Sequence, residues 1–417
     1  MTEFYTPNTI TNIMLNVTDA CNLACRYCFV EQHPHYMTYE VAKDTVDFFN
    51  EIILKKNPDC KNIKDLEKKS YDDSGKGVRH GYGINFFGGE PLLMWDEIIV
   101  PLTEYIKKNK FPIGLGMTSN CILLDEKKVK FMKENEIGLL FSIDGTKETQ
   151  DYNRPCHNPN VSSFDILEPK LEMIAREFPT TFRSTLIPET CHNMFDNAMF
   201  AHSKGFRQYF ACPDDFSIWT NDSIYELEKG LYKWSLYYID SYKSQEALDD
   251  MIHFSSLEKM MGSLKKIQRR SKSNEEHRFG KQMCGLGTGG FAVNYEGAIF
   301  GCQELPSRGY DDNLHYIGNI YTGYDKPRFE ALLHDYRDHE LTCEDPSLCK
   351  DCYNRFICSE GFCHANSFLK FGNEYTKPRI RCIWDDMLVK YSIFISNTLK
   401  DYGLFPDRYA LEEDIDG

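Results

Sequence analysis

The spacing of apolar positions along the chain changes several times, and each change predicts an element. Strand-like runs occur at 12–18 (NIMLNVT), 82–87 (YGINFF), 113–118 (IGLGMT), 137–143 (IGLLFSI), 180–187 (TTFRSTLI) and 207–213 (RQYFACP). Between them the period lengthens to that of a helix. In 39–54, Ala42, Val46, Phe49 and Ile53 recur at helical spacing behind Thr38, a capping residue. Further helical patterns lie near 95–109, 125–136, 165–177 and 191–204. Strand and helix alternating six times predict a parallel sheet, curled or open, with right-handed crossovers and an outer layer of helices.

Beyond 213 the texture changes. Residues 222–270 read as one or two long helices rich in Tyr, Trp and Leu, and 271–281 (SKSNEEHRFGK) as a linker. Short strands, turns and dense cysteine follow to 382, then a final helix at about 383–400 and an acidic tail. The polar stretch 55–80 reads as a loop inserted in the second crossover. The expected organisation is an α/β domain over 1–213, a helical connector over 214–281, a cysteine-rich domain over 282–385, and a closing helix and tail over 386–417. There is no internal repeat and no low-complexity tract.

Composition narrows the classes. The 417 residues are 41% hydrophobic and 14% aromatic, enough for a sizeable core. No run approaches the roughly 18 apolar residues of a membrane helix. The N-terminus (MTEFYTPNTI) has no basic stretch followed by an apolar one, so a cytoplasmic protein is expected. A net charge of −15 argues against a nucleic-acid backbone as the main partner. It leaves room for a neutral or basic peptide, a small molecule or an electron-donor protein, or it serves solubility alone.

Sixteen cysteines in such a chain need another explanation than a disulfide framework. Clustered thiols in a reducing compartment are more often metal or iron–sulfur ligands. Cys21, Cys25 and Cys28 are spaced C-x3-C-x2-C within "TDACNLACRYCFVEQ". Three thiolates do not complete a tetrahedral zinc site, though zinc with a distant fourth ligand is an alternative. They suit three irons of a [4Fe–4S] cluster, with the fourth iron open for chemistry.

This triplet, with Tyr27 before its last cysteine and Phe29 after it, resembles the radical S-adenosylmethionine (radical SAM) superfamily. Strand two then ends in "FFGGEP", similar to that family's G-G-E-P turn. The resemblance makes Phe29, Gly88, Gly89 and Glu90 cofactor-binding. The glycines permit close approach of a ligand, and Glu90 accepts hydrogen bonds from the methionyl ammonium. "TSNCILLD" at 118–125 resembles the family's strand-three end, with Asn120 matching and Cys121 standing where the family has Gly. "FSIDGTKETQDYNR" at 141–154 resembles the strand-four end. There Ser142 and Asp144 match residues that contact the ribose or methionyl part; a turn and helix cap is the plainer alternative. Gln150 stands where many relatives carry His. Backbone near Ile187 is implied to face the adenine. These are C-terminal strand ends, where an α/β barrel places its active site.

A second set follows. Cys284, Gly297 and Cys302 form C-x12-G-x4-C. Cys349, Cys352, Cys358, Cys363 and Cys382 come after. Zinc ribbons need two C-x2-C knuckles, and only one is present. The pattern resembles the SPASM domain, the C-terminal extension of radical SAM peptide and protein maturases, although four residues rather than three separate Cys358 from Cys363. "YIGNI" (316–320) resembles its connecting segment. The implied fold is a partial (β/α)6 radical SAM barrel followed by a small SPASM domain with auxiliary iron–sulfur clusters and a C-terminal helix. The implied outer cluster takes Cys349, Cys352, Cys358 and Cys382, and the inner one Cys284, Cys302 and Cys363. With Cys21, Cys25 and Cys28 this makes three [4Fe–4S] clusters and bound S-adenosylmethionine. The relatives' fourth inner cysteine is absent from "GLGTGG", so the inner cluster has an open iron or is capped by Cys343, the spare candidate.

The resemblance implies reductive cleavage of S-adenosylmethionine to a 5′-deoxyadenosyl radical that abstracts hydrogen from an unactivated carbon. The leading expectation is a maturase that forms a Cys thioether or another cross-link in a ribosomally made peptide. Its partners would be a precursor peptide or protein and an electron donor such as flavodoxin or ferredoxin; since only about twenty residues precede Cys21, peptide recognition is expected to come from elsewhere or from a separate peptide-recognition protein. An anaerobic sulfatase-maturating enzyme, which forms formylglycine, is the alternative. An electron carrier without catalysis is a third. Glu304, beside Cys302, is the candidate base; a surface carboxylate is the competing reading.

Overall fold

The computed structural model describes residues 10–57, 81–272, 287–310, 313–349, 352, 354, 358 and 363–404. Most of the insertion and linker anticipated above, the acidic tail, Cys60 and Cys284 lie outside the described residues. In chain order the elements are β1 (Asn12–Thr18), α1 (Tyr39–Lys56), β2 (Gly83–Gly88), α2 (Val100–Asn109), β3 (Gly114–Ser119), α3 (Glu126–Glu134), β4 (Gly138–Ser142), α4 (Lys147–Asn153), α5 (Ser163–Leu167), α6 (Leu171–Glu177), β5 (Phe182–Leu186), α7 (Met194–Ser203) and β6 (Gln208–Pro213). They continue with α8 (Asn221–Ser241), α9 (Gln245–Asp250), β7 (His253–Phe254), α10 (Ser255–Lys272), β8 (Gly290–Val293), β9 (Ala298–Phe300), β10 (Tyr316–Asn319), β11 (Gly323–Tyr324), α11 (Lys326–Asp338), β12 (Thr342–Cys343), α12 (His364–Phe371), β13 (Thr376–Lys377) and α13 (Arg379–Asp401). Two compact units interleave along the sequence. One comprises Met1–Ala24, Cys28–Ser142 and Cys284–Tyr336; the other comprises Cys25–Tyr27, Ile143–Met283 and Arg337–Gly417.

In the first unit β1, β2, β3 and β4 lie side by side and parallel. Ile13 pairs with Ile84 and Leu15 with Phe86, so one face of each strand is fully buried. The apolar stripe anticipated on α1 is buried as well, widened by Phe48 and Ile52. Thr38 caps this helix, its side chain accepting from the Val41 N–H. The other edge of β1 is taken by β8, also parallel, with Ile13 opposite Phe291 and Leu15 opposite Val293. From there β9, β10 and β11 continue as an antiparallel meander. Gly297 makes the β8–β9 turn possible, with φ of 81°. The beginning of the cysteine-rich segment therefore builds onto the first strand of the chain.

In the second unit β5, β6 and β7 are parallel. Trp234 of α8 stacks on Phe254 at 4.9 Å between ring centroids, with Tyr209 of β6 against both. The helical stretch 222–270 is three helices rather than one or two. Ser244 ends α8's run by capping α9, its hydroxyl accepting from Ala247 N–H. The helix over 165–177 is interrupted at Glu168–Lys170, where Pro169 tightens the chain into a 3-10 turn. The last helix starts at Arg379, directly after Pro378, so Cys382 lies in its first turn. α11 and α12 stand where short strands and turns were anticipated.

Candidate active site

Glu90 follows β2 by two residues and is 1% exposed. Its Oε1 accepts from the Leu92 N–H at 3.0 Å and the Ser119 hydroxyl at 2.8 Å; its Oε2 accepts from the Asn120 N–H at 2.9 Å. Burial pushes its pKa up to about 7, and the three donors pull against that shift. Among the described residues no cation pairs with it. The glycines before it serve a close approach of backbone. Gly89 N–H donates to Thr18 O at 2.7 Å and Glu90 N–H to Ala20 O at 2.9 Å. A Cβ on Gly88 would stand 2.2 Å from Thr18 O, and one on Gly89 2.1 Å from Ala20 O. The GGEP turn thus abuts the start of the cysteine loop. Asn120 reaches the same loop, its Nδ2 donating to Asn22 Oδ1 at 2.7 Å and lying 3.8 Å from Cys21 Sγ. The next residue, Cys121, is left-handed with φ of 59°, a backbone conformation that favours glycine.

Phe29 stacks on Phe87 at 6.3 Å, and its carbonyl accepts from Arg308 at 2.9 Å. Arg308 also reaches Glu31 at 2.8 Å, while Ser307 Oγ accepts from the Glu31 N–H. No local pattern announced this contact between positions so far apart in sequence. Cys21 and Cys25 are half-buried and Cys28 is exposed.

In the second unit Asp144 is fully buried. Its Oδ2 accepts from the Tyr27 hydroxyl at 2.5 Å, and its Oδ1 accepts from the Thr185 N–H at 2.9 Å and lies 3.1 Å from Arg154. Burial lowers the pKa of Arg154, but the charge of Asp144 beside it prevails and raises it. Gln150 accepts from the Asp144 N–H at 3.0 Å and so fixes the turn. Arg154, the partner of Asp144, ends the "DYNR" stretch but carried no sequence signal of that pairing. Ser142 is half-buried. Ile187 is buried, and its carbonyl accepts from Thr190 and Cys191 N–H groups in the turn after β5.

Of the later cysteines, Cys302 and its neighbour Glu304 are half-buried after β9. Asn16 Nδ2 donates to Gln303 O at 3.3 Å, holding this turn to β1. Cys363 precedes α12 as its N-terminal cap residue. Cys349 and Cys352 lie close enough to Cys358 for their charges to act on it, and Cys382 is likewise close to Cys358. Cys349, Cys352 and Cys382 are thus each within electrostatic reach of Cys358. Cys343 joins them: its sulfur is hydrogen-bonded to Cys382, and its N–H donates to Cys349 Sγ at 3.1 Å. Lys377 pairs with Asp385 and donates to Cys358 O at 2.8 Å. Among the described residues no three Cys, His, Asp or Glu side chains gather as they would around a single metal ion.

These residues fit the groups the sequence implied. A buried carboxylate with only neutral donors beside a cysteine loop suits a ligand that brings its own positive charge. Thiols within electrostatic reach of Cys358 suit an iron–sulfur cluster. No helix among the described residues is long and apolar enough to cross a membrane.

Comparison with known proteins agrees. Residues 15–200 match the Radical SAM superfamily. The cysteine-type anaerobic sulfatase-maturating enzyme of Clostridium perfringens is 24% identical over 363 residues, covering 82% of this chain and 86% of that protein. The radical SAM cyclopropyl synthase TigE of Paramaledivibacter caminithermalis is 25% identical over 166 residues, 39% of this chain and 34% of TigE. Among solved structures, polyhistidine-tagged anSMEcpe with bound AdoMet superposes with a TM-score of 0.66 at 19% identity, covering 97% of this chain and 99% of that one. Streptococcus suis SuiB bound to precursor peptide SuiA gives 0.52 at 12% identity, covering 89% and 76%. These likenesses give the fold, an α/β partial radical SAM barrel with a SPASM extension. A radical SAM domain over residues 15–200, with likeness over most of the chain to an anaerobic sulfatase-maturating enzyme, marks it as a radical S-adenosylmethionine enzyme.

Proposed function

We propose that this enzyme is a maturase that modifies a peptide or protein substrate, and that it forms a Cys thioether or another cross-link in a ribosomally made peptide. Relatives and structural neighbours support the coarser reading: SuiB is bound to a precursor peptide, and anSMEcpe binds a Cys-containing peptide. In the proposal Cys21, Cys25 and Cys28 hold the cluster at which S-adenosylmethionine binds. Gly88, Gly89, Glu90, Asn120, Ser142, Phe29 and backbone near Ile187 form its surroundings, and Asp144 belongs to the same site. Cys349, Cys352, Cys358 and Cys382 hold an outer cluster; Cys284, Cys302 and Cys363 hold an inner one. When bound, these groups supply one-electron reduction and hydrogen-atom abstraction. The chain's own part is to orient the methionyl group through Glu90 and to keep Asn120 and the cysteine loop in register.

The observation that carries the finer reading is the place of Cys343. It lies against Cys382 and Cys349, which favours its belonging with the outer set over its capping the inner one. An inner cluster short of one cysteine can accept the thiolate of a substrate Cys, fixing the sulfur for bond formation. Glu304 is the base proposed beside it. Electrons would come from a flavodoxin or ferredoxin, and a separate protein would assist peptide recognition in the cytoplasm. The second reading, formylglycine formation, is favoured by the identity to the Clostridium perfringens enzyme across most of both chains.

The test is anaerobic reconstitution with S-adenosylmethionine and a reductant, first for 5′-deoxyadenosine, then with Cys-containing peptides encoded beside the gene and with a sulfatase-derived Cys peptide. Loss of hydrogen with retention of sulfur in the product supports cross-linking. Loss of the sulfur with gain of an aldehyde supports formylglycine formation. A Cys21→Ala, Cys25→Ala, Cys28→Ala variant that still releases 5′-deoxyadenosine would overturn the cluster assignment.

A further inference from the structure

We propose that Asp144 and Arg154 are positioning residues for the cysteine loop, acting through Tyr27 rather than by touching S-adenosylmethionine. This rests on the reading that Cys21, Cys25 and Cys28 hold a cluster. Tyr27 lies between Cys25 and Cys28 in sequence, so its placement bears on both sulfurs. Its hydroxyl is committed to Asp144 Oδ2, and the Arg154 guanidinium lies 5.3 Å from the centre of its ring. The other oxygen of Asp144 is taken by Thr185 N–H and Arg154. Arg26, one position earlier, is tied to the same stretch. Its N–H donates to Asn153 O at 3.0 Å, its Nε donates to Tyr152 O at 2.7 Å, and its guanidinium lies 4.2 Å over the Tyr152 ring. Residues 26 and 27 are therefore held by backbone, charge and ring contacts to one segment, 144–154. A carboxylate engaged by three internal donors and closed to solvent holds a loop in place well; it has little left for a ribose.

The two roles are separable in a double-mutant cycle on the reconstituted holoenzyme, using Tyr27→Phe, Asp144→Asn and the pair. The readouts are iron content, the EPR signal of the reduced cluster with and without S-adenosylmethionine, and the dissociation constant of S-adenosylmethionine. Tyr27→Phe is expected to retain its iron, alter the ligand-induced EPR change and weaken binding roughly five- to tenfold, a fraction of the one charge-assisted hydrogen bond lost. In that background Asp144→Asn should add less than about twofold. Equal weakening by Asp144→Asn in both backgrounds would mean direct ligand contact and would overturn the proposal. So would a Tyr27→Phe enzyme with unchanged EPR and binding. Should Asp144→Asn fail to fold, Arg154→Lys takes its place in the cycle, with the same criterion. A wild-type chain that binds no cluster is the distinct failure of the underlying reading, seen before any variant is made.

Discussion

Glu90 and Asp144 each follow a parallel strand by two residues, and each is buried, yet the protein compensates them differently. Asp144 has a permanent cation of its own in Arg154. Glu90 has two backbone N–H groups and one hydroxyl, all neutral. The first arrangement is complete within the fold. The second keeps a carboxylate at the edge of ionisation and leaves its charge for a ligand to stabilise. Burial, then, does not by itself mark a structural or a binding carboxylate; the charge of its donors does.

The largest expected effect breaks the internal pair. Asp144→Ala leaves Arg154 buried without its counter-charge and should cost about 3–5 kcal/mol, read as a fall in melting temperature. The contrast between the sites fails if Glu90→Ala costs as much. Next comes pH. Because the folded-state pKa of Glu90 is about 7 against an ordinary 4.5, the native state holds a proton that the unfolded chain has released within that window. Stability should be highest at its acid end and decline toward neutrality, by at most roughly 3 kcal/mol. Comparing denaturation of wild type with Glu90→Gln isolates this contribution. A parallel decline in both proteins would remove Glu90 as its cause.

A smaller effect concerns binding. Glu90→Gln should weaken S-adenosylmethionine affinity by roughly 1.5–3 kcal/mol with iron content unchanged. Wild-type affinity should also tighten as pH rises toward 7, and that slope should vanish in the variant. The smallest concerns the turn that supplies Glu90 with the Asn120 N–H. Cys121→Gly should be more stable than Cys121→Ala by about 1–2 kcal/mol, because the left-handed backbone penalises the alanine. The ordinary size order at a buried position would be reversed; thermal denaturation decides it.

How far the sequence could be read depended on the range of the interactions. Six strands, α1 and its cap were visible because period and capping are local. The GGEP turn was visible as a motif, but its glycines answer to the backbone of Thr18 and Ala20, some seventy residues away, and only packing reveals that. Asp144 was noticed, whereas its partners Tyr27 and Arg154 were not connected to it, since a hydrogen bond across 117 positions leaves no period behind. Arg308 on Phe29 spans 279 positions and had no signal. In the C-terminal third, cysteine spacing dominated the reading and obscured the apolar positions of α11 and α12. Cys343, six residues before Cys349, has no counterpart in the spaced sets, so counting alone did not place it.

The pairing of β1 with β8 also has a consequence for how the chain is made. Asn12–Leu15 can be bonded on that edge only by residues 290–293. During synthesis, more than two thirds of the polypeptide must leave the ribosome before the first strand finds its second neighbour. Until then its N–H and C=O groups on that side offer a template to any other extended chain. Long-range parallel pairing of this kind is slow to form. Truncation before β8 would therefore be expected to yield aggregation rather than a folded N-terminal half, and overproduction should favour slow translation and low temperature.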